Sequence, residues 1–112
     1  MIQSITPQQA QELIARGELD IVDVRDRSEW SRGHLPGARL LPLDRMRATL
    51  KTALPRDGIL FVCAMGVRSQ TAAKLAEGLG LQTLYNLEGG THAWSDAGLE
   101  LVRDASPTSK AA

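Results

Sequence analysis

Apolar positions along this chain follow two spacings in turn. Ile21-Val22-Asp23-Val24, Arg39 to Leu41, Ile59-Leu60-Phe61-Val62 and Thr83-Leu84-Tyr85-Asn86-Leu87 are short runs rich in branched or aromatic residues, the pattern of strands. Between them the apolar residues recur at helical spacing. Ala10, Leu13 and Ile14 form one face that stops at Gly17. The preceding Thr6-Pro7-Gln8-Gln9 supplies an N-cap, a first-position proline and a capping box. Asp26-Arg27-Ser28-Glu29 predicts the cap of a short helix ending near Gly33. A turn-rich connection, Gly33-His34-Leu35-Pro36-Gly37-Ala38, follows it.

Leu43, Met46, Leu50 and Leu54 mark another helical face, closed by Pro55. Ala72, Leu75, Ala76 and Leu79 fall at i, i+3, i+4 and i+7, with Gly80 as C-cap. Gly89-Gly90 precedes a last helix carrying Ala93, Trp94 and Ala97, with Gly98 at its end. Strand and helix alternate, which predicts an α/β fold: a central, mostly parallel sheet flanked by helices on both faces. In such folds the ligand site lies outside the carboxyl ends of the strands.

With 112 residues, the chain has room for one core. Residues 1–103 are expected to form a single domain, and 104–112, small and polar, a flexible tail. Thirteen basic residues balance thirteen acidic ones, so no global field recruits nucleic acid or an anionic membrane. No apolar stretch approaches the ~20 residues of a membrane helix, and the N-terminus lacks the layout of a secretion signal. One cysteine allows no internal disulfide, and no cysteine pair exists for a zinc site. The expected compartment is a reducing cytoplasm. The composition is silent on oligomeric state.

That one cysteine changes the picture. Cys63 follows the Ile59–Val62 strand and opens Cys63-Ala64-Met65-Gly66-Val67-Arg68-Ser69, after which a helical pattern begins. A thiol between a strand's carboxyl end and a helix's amino end meets converging backbone N–H groups and the positive end of the helix dipole. Both favour thiolate, the nucleophilic form. Ala64, Met65, Gly66 and Val67 include no proline, so each can donate an N–H, and Gly66 lets the backbone curl around a bound atom. Arg68 adds a charged fork at the rim, and Ser69 or Thr71 is placed to cap the following helix. Asp23, Arg25 and Glu29 read as an ion-pair set that pins the site loops. His34 reads as structural and His92 as a helix-start surface residue; so far apart in sequence, they have no metal-ligand spacing.

From roughly Ser4 to Leu101 these motifs resemble single-domain rhodaneses, the sulfurtransferases. Asp23-Val24-Arg25, Glu29 and Gly33 to Ala38 are similar to the family's first signature, Cys63-x-x-Gly66-x-Arg68-Ser69 to its active-site loop, and Gly89-Gly90 with Trp94 to its C-terminal signature. The resemblance implies a rhodanese-like three-layer fold and an enzyme that moves a sulfane sulfur through a Cys63 persulfide. The donor is thiosulfate or a persulfide, small molecule or protein; the acceptor is cyanide or a thiol. Ala64 through Ser69 would bind substrate, and no metal or cofactor is implied.

Six residues from Cys63 to Arg68 inclusive match the rhodanese loop; related phosphatases and arsenate reductases use one more. The rivals are a non-catalytic rhodanese-like binding module, against which an intact Cys63 speaks, and a Cys-dependent phosphatase or arsenate reductase, against which loop length speaks. Many thiosulfate-using relatives carry extra basic residues within the loop. Here Ala64, Met65 and Val67 stand there, which implies an apolar rim and weak thiosulfate binding.

Overall fold

The computed structural model describes residues 2–49, 52, 54 and 56–103. Five strands, β1 (Ile2–Ile5), β2 (Asp20–Asp23), β3 (Arg39–Leu40), β4 (Ile59–Val62) and β5 (Leu84–Leu87), form one sheet in the order β1-β5-β4-β2-β3. Every neighbouring pair is parallel, with Ile21 beside Leu60, Phe61 beside Asn86 and Ile2 beside Leu84. Helices with bounds among the described residues are α1 (Pro7–Ala15), α2 (Arg27–Ser31), α3 (Leu43–Ala48), α4 (Arg68–Gly78) and α5 (Gly90–Asp96).

The middle strand, β4, organises both layers. Its four residues are fully buried and point alternately to opposite faces. Ile59 and Phe61 pack with Met46 of α3 and with Ala72, Ala73 and Ala76 of α4. Leu60 and Val62 pack with Ala10 of α1 and Trp94 of α5. Burying such side chains contributes about 1.5–3 kcal/mol each. Three alanines facing the sheet let α4 lie close to it, and its first turn then stands over the end of β4. Continuing the alternation, Cys63 falls in the same cluster as Ile59 and Phe61, on the α4 side.

Local expectations hold in detail at two caps. Thr6 accepts from Gln9 N and Gln9 reaches back to Thr6 N; Asp26 and Glu29 do the same at α2. Other features differ. β1 was not foreseen: its two central residues, Gln3 and Ser4, are polar and exposed, as an edge strand permits. The helix expected to run through Leu54 ends at Ala48, because Thr49 leaves helical geometry (φ −130°, ψ 26°) while its hydroxyl donates to Arg45 O at 2.8 Å. Leu54 is nonetheless buried in the core, whereas Leu50 and Pro55 lie outside the described residues, as does the 104–112 tail.

Neither Ser69 nor Thr71 caps α4. Val67 is its N-cap, without a side-chain bond, and the Ser69 hydroxyl is used elsewhere. Among the described residues no helix is long and apolar enough to cross a membrane.

Candidate active site

Cys63 sits directly past β4, and the loop closes around its sulfur. Gly66 N–H donates to Sγ at 3.1 Å and Ser69 N–H, in the first turn of α4, at 3.4 Å; the Ser69 hydroxyl lies at 3.3 Å. Burial of the thiol opposes ionisation. It is outweighed by the Ser69 hydroxyl and by the N–H groups of Ser69, Gly66 and Met65, so Cys63 ionises below the ordinary thiol range. Among the described residues, the large apolar side chains that stand exposed are Met65 and Val67, at 60% and 71%, both on the loop rim.

Glycines make this curvature possible. Gly66 has φ +95°, and a Cβ there would come within 3.3 Å of Leu87 O and 3.2 Å of Gly89 N. Gly90 is tighter. At φ +60° its α-carbon lies against the peptide after Cys63, where a Cβ would be 2.3 Å from Cys63 O and 2.5 Å from Ala64 C. From the same turn, Thr91 N–H donates to Cys63 O (2.9 Å) and His92 N–H to Ala64 O (3.1 Å). The Gly89-Gly90 pair is therefore the shelf on which the loop rests.

The three charged residues expected to act as one set are divided. Asp23 and Arg25 are buried and paired: Arg25 Nε lies 3.0 and 3.1 Å from the two carboxylate oxygens and Nη2 2.8 Å from one. Arg25 Nη2 also donates to Gly33 O at 2.7 Å, fastening the Gly33 turn to the end of β2. Glu29 belongs elsewhere. Its two oxygens each accept from Arg68, both at 2.8 Å, a two-bond bridge between α2 and α4. Arg68 holds the Glu29 carboxyl below the usual carboxylate range, and Glu29 in turn raises Arg68. The rim charge of the loop is thus largely neutralised from across the site.

Beside the loop opens a cavity of about 220 Å³, lined by Arg25, Glu29, Arg32, Ala64, Thr91 and His92 among others. His92 reaches it from the start of α5. His34 does not: it is buried, stacked on Trp30 (ring centres 3.4 Å apart, planes at 4°), with Nδ1 3.0 Å from Trp30 O. Among the described residues no group of three or more His, Cys, Asp or Glu side chains could hold a metal.

One site residue escaped the sequence reading. Asn86, in β5, is buried and hydrogen-bonded to Ser69 through Oδ1. The signal was present: a polar residue breaks the run Leu84-Tyr85-Asn86-Leu87 at an inward position, next to the strand that ends at the cysteine.

The profile of the Rhodanese-like domain family matches residues 6–97, so the chain belongs to that family. Among its curated relatives is the thiosulfate sulfurtransferase GlpE of Ectopseudomonas mendocina, 36% identical over 90 residues that cover 80% of this chain and 82% of the relative. A rhodanese-like domain protein of Staphylococcus aureus superposes with a TM-score of 0.75 at 36% identity, covering 89% of this chain and 98% of that one. A Rhodopseudomonas palustris protein of unknown function, described as a possible tyrosine phosphatase, superposes with a TM-score of 0.80 at 33% identity, covering 90% and 85%.

Proposed function

We propose that this protein is a sulfurtransferase that carries a sulfane sulfur on Cys63. Its family and its GlpE relatives support sulfurtransferase activity. The observation that carries the mechanism is the convergence of the Gly66 and Ser69 N–H groups on Sγ within a six-residue loop.

The Cys63 thiolate attacks the outer sulfur of the donor. A sulfur–sulfur bond forms, the donor's own bond to that sulfur breaks, and its electron pair leaves with the remnant, sulfite when thiosulfate is the donor. The persulfide's terminal charge is then held by the amides of the Ala64–Ser69 loop, stabilisation of the oxyanion-hole kind. A second nucleophile, cyanide or a thiol, removes the sulfur and returns the electron pair to Cys63. Arg68 contributes little net charge while Glu29 holds it, and Met65 and Val67 present an apolar rim. This favours a carbon-bearing persulfide, small molecule or protein, over the thiosulfate dianion.

Incubation with thiosulfate or an organic persulfide should add about 32 Da, one sulfur atom, to the intact mass, and Cys63→Ala should abolish both the adduct and turnover. Transfer that survives Cys63→Ala would end this reading. The rival, a Cys-dependent phosphatase, takes support from the description of the R. palustris neighbour. It requires turnover of an aryl phosphate, which the short loop speaks against.

A further inference from the structure

We propose that Asn86 is a positioning residue for the chemistry of Cys63: it decides which way the Ser69 hydroxyl proton points. The inference deepens the sulfurtransferase reading, because it concerns the same thiol.

The Asn86 amide nitrogen lies 3.4 Å from Gly66 O and 3.5 Å from Ser4 Oγ. A carbonyl only accepts, so the nitrogen must face Gly66 and the amide oxygen must face Ser69. That oxygen also only accepts, so the Ser69 hydroxyl donates to it. A hydroxyl has one proton. Pointed at Asn86, it leaves Ser69 Oγ presenting a lone pair to Cys63 Sγ, 3.3 Å away. The thiol form completes the chain, with S–H donating to Ser69 Oγ and Ser69 O–H to Asn86. The thiolate form does not, because a lone pair faces an anion.

Ionisation therefore swings the hydroxyl proton from Asn86 to sulfur, and the two acceptors compete for one donor. The N–H groups of Gly66 and Ser69 are fixed by the backbone and hold the sulfur either way. In the transfer cycle the proton follows the charge. It lies on the sulfur side while Cys63 is thiolate and returns to Asn86 when Sγ becomes the neutral inner atom of the persulfide. It swings back when the acceptor removes the outer sulfur and the electron pair returns to Sγ. No proton changes its heavy atom at any point. Asn86 tempers the thiolate and receives the hydroxyl between charged states.

The charged and titratable groups on the surrounding elements are Arg68 of α4 with Glu29 of α2, the Asp23–Arg25 pair at the end of β2 and His92 of α5. All stay unchanged in the following test. The midpoint of Cys63 alkylation by iodoacetamide against pH is measured for the native protein, Ser69→Ala, Asn86→Leu and the double variant. Ser69→Ala should raise the midpoint and Asn86→Leu should lower it, each by roughly half to one pH unit.

The double variant should match Ser69→Ala alone, because without the hydroxyl Asn86 has nothing to direct. Asn86→Val, checked by near-UV circular dichroism, gives the same sign should the leucine variant not fold. An upward shift in Asn86→Leu or Asn86→Val, or an equal shift with and without Ser69, would overturn the proposal. Alkylation needs no sulfur donor. A protein with the expected cycle of midpoints but no mass gain from any donor would keep this inference and lose the sulfurtransferase reading.

Discussion

Gly90→Ala tests the claim that the helix-start shelf builds the active-site loop. The new Cβ would stand 2.3 Å from Cys63 O and 2.5 Å from Ala64 C, both backbone atoms, so the loop must retreat by about 1 Å to restore ordinary contact. Three costs follow. Alanine at φ +60° carries about 1–2 kcal/mol of left-handed strain. The bonds from Thr91 N–H to Cys63 O and from His92 N–H to Ala64 O are stretched or lost, about 1 kcal/mol each. The total is on the order of 3–4 kcal/mol, a large part of a small domain's stability of roughly 5–15 kcal/mol.

Gly98→Ala is the control. It has φ +81° and, among the described residues other than its chain neighbours, no atom within 4 Å of its Cβ position, so it carries only the conformational cost, about 1–2 kcal/mol. Urea unfolding measures both variants. Sulfur transfer should fall about a hundredfold in Gly90→Ala at urea-free conditions where the protein is still folded, since a 1 Å misplacement costs that much. Gly98→Ala should keep its rate. Equal destabilisation of the two variants, with transfer intact in both, would refute the contact argument.

Glu29→Gln keeps the capping oxygen that α2 needs but removes the charge that neutralises Arg68. The KM for thiosulfate should fall on the order of threefold, as for one partly exposed charge, with a neutral persulfide unaffected; an unchanged KM would mean that Arg68 does not face the donor. The alkylation rate of native Cys63 against pH should have its midpoint below ~8.5. Because the folded thiol ionises at lower pH than the unfolded one, the unfolded state binds more protons between the two midpoints. Stability therefore rises with pH there, and this rise should vanish in Cys63→Ser. A flat native profile would show that the loop does not hold an anion.

The elements with strong local signals were legible. Capping boxes at Thr6 and Asp26 are read from four residues each, and the buried run Ile59–Val62 can hardly be anything but a central strand. What escaped depends on partners distant in sequence. β1 has little strand character of its own and exists because β5 offers it an edge. In sequence Glu29 lies close to Arg25 and 39 residues from Arg68, yet the crossing of α2 and α4 joins it to Arg68. Ser69 looked like a cap because serine at a helix start usually is one, yet Asn86 and the cysteine claim its hydroxyl first.

Sheet order also sets a timetable. β1 is made first and β5 last, yet they are neighbours, and the cysteine loop leans on Asn86, Gly89 and Thr91. On the ribosome Cys63 emerges before these supports and is until then an ordinary thiol after a strand that lacks its β5 neighbour. Its anion-holding environment arises only when residues through Thr91 have been synthesised and docked, so a nascent chain has no acidified thiol to expose to sulfur donors or oxidants. The lowered ionisation of this thiol is a late product of folding.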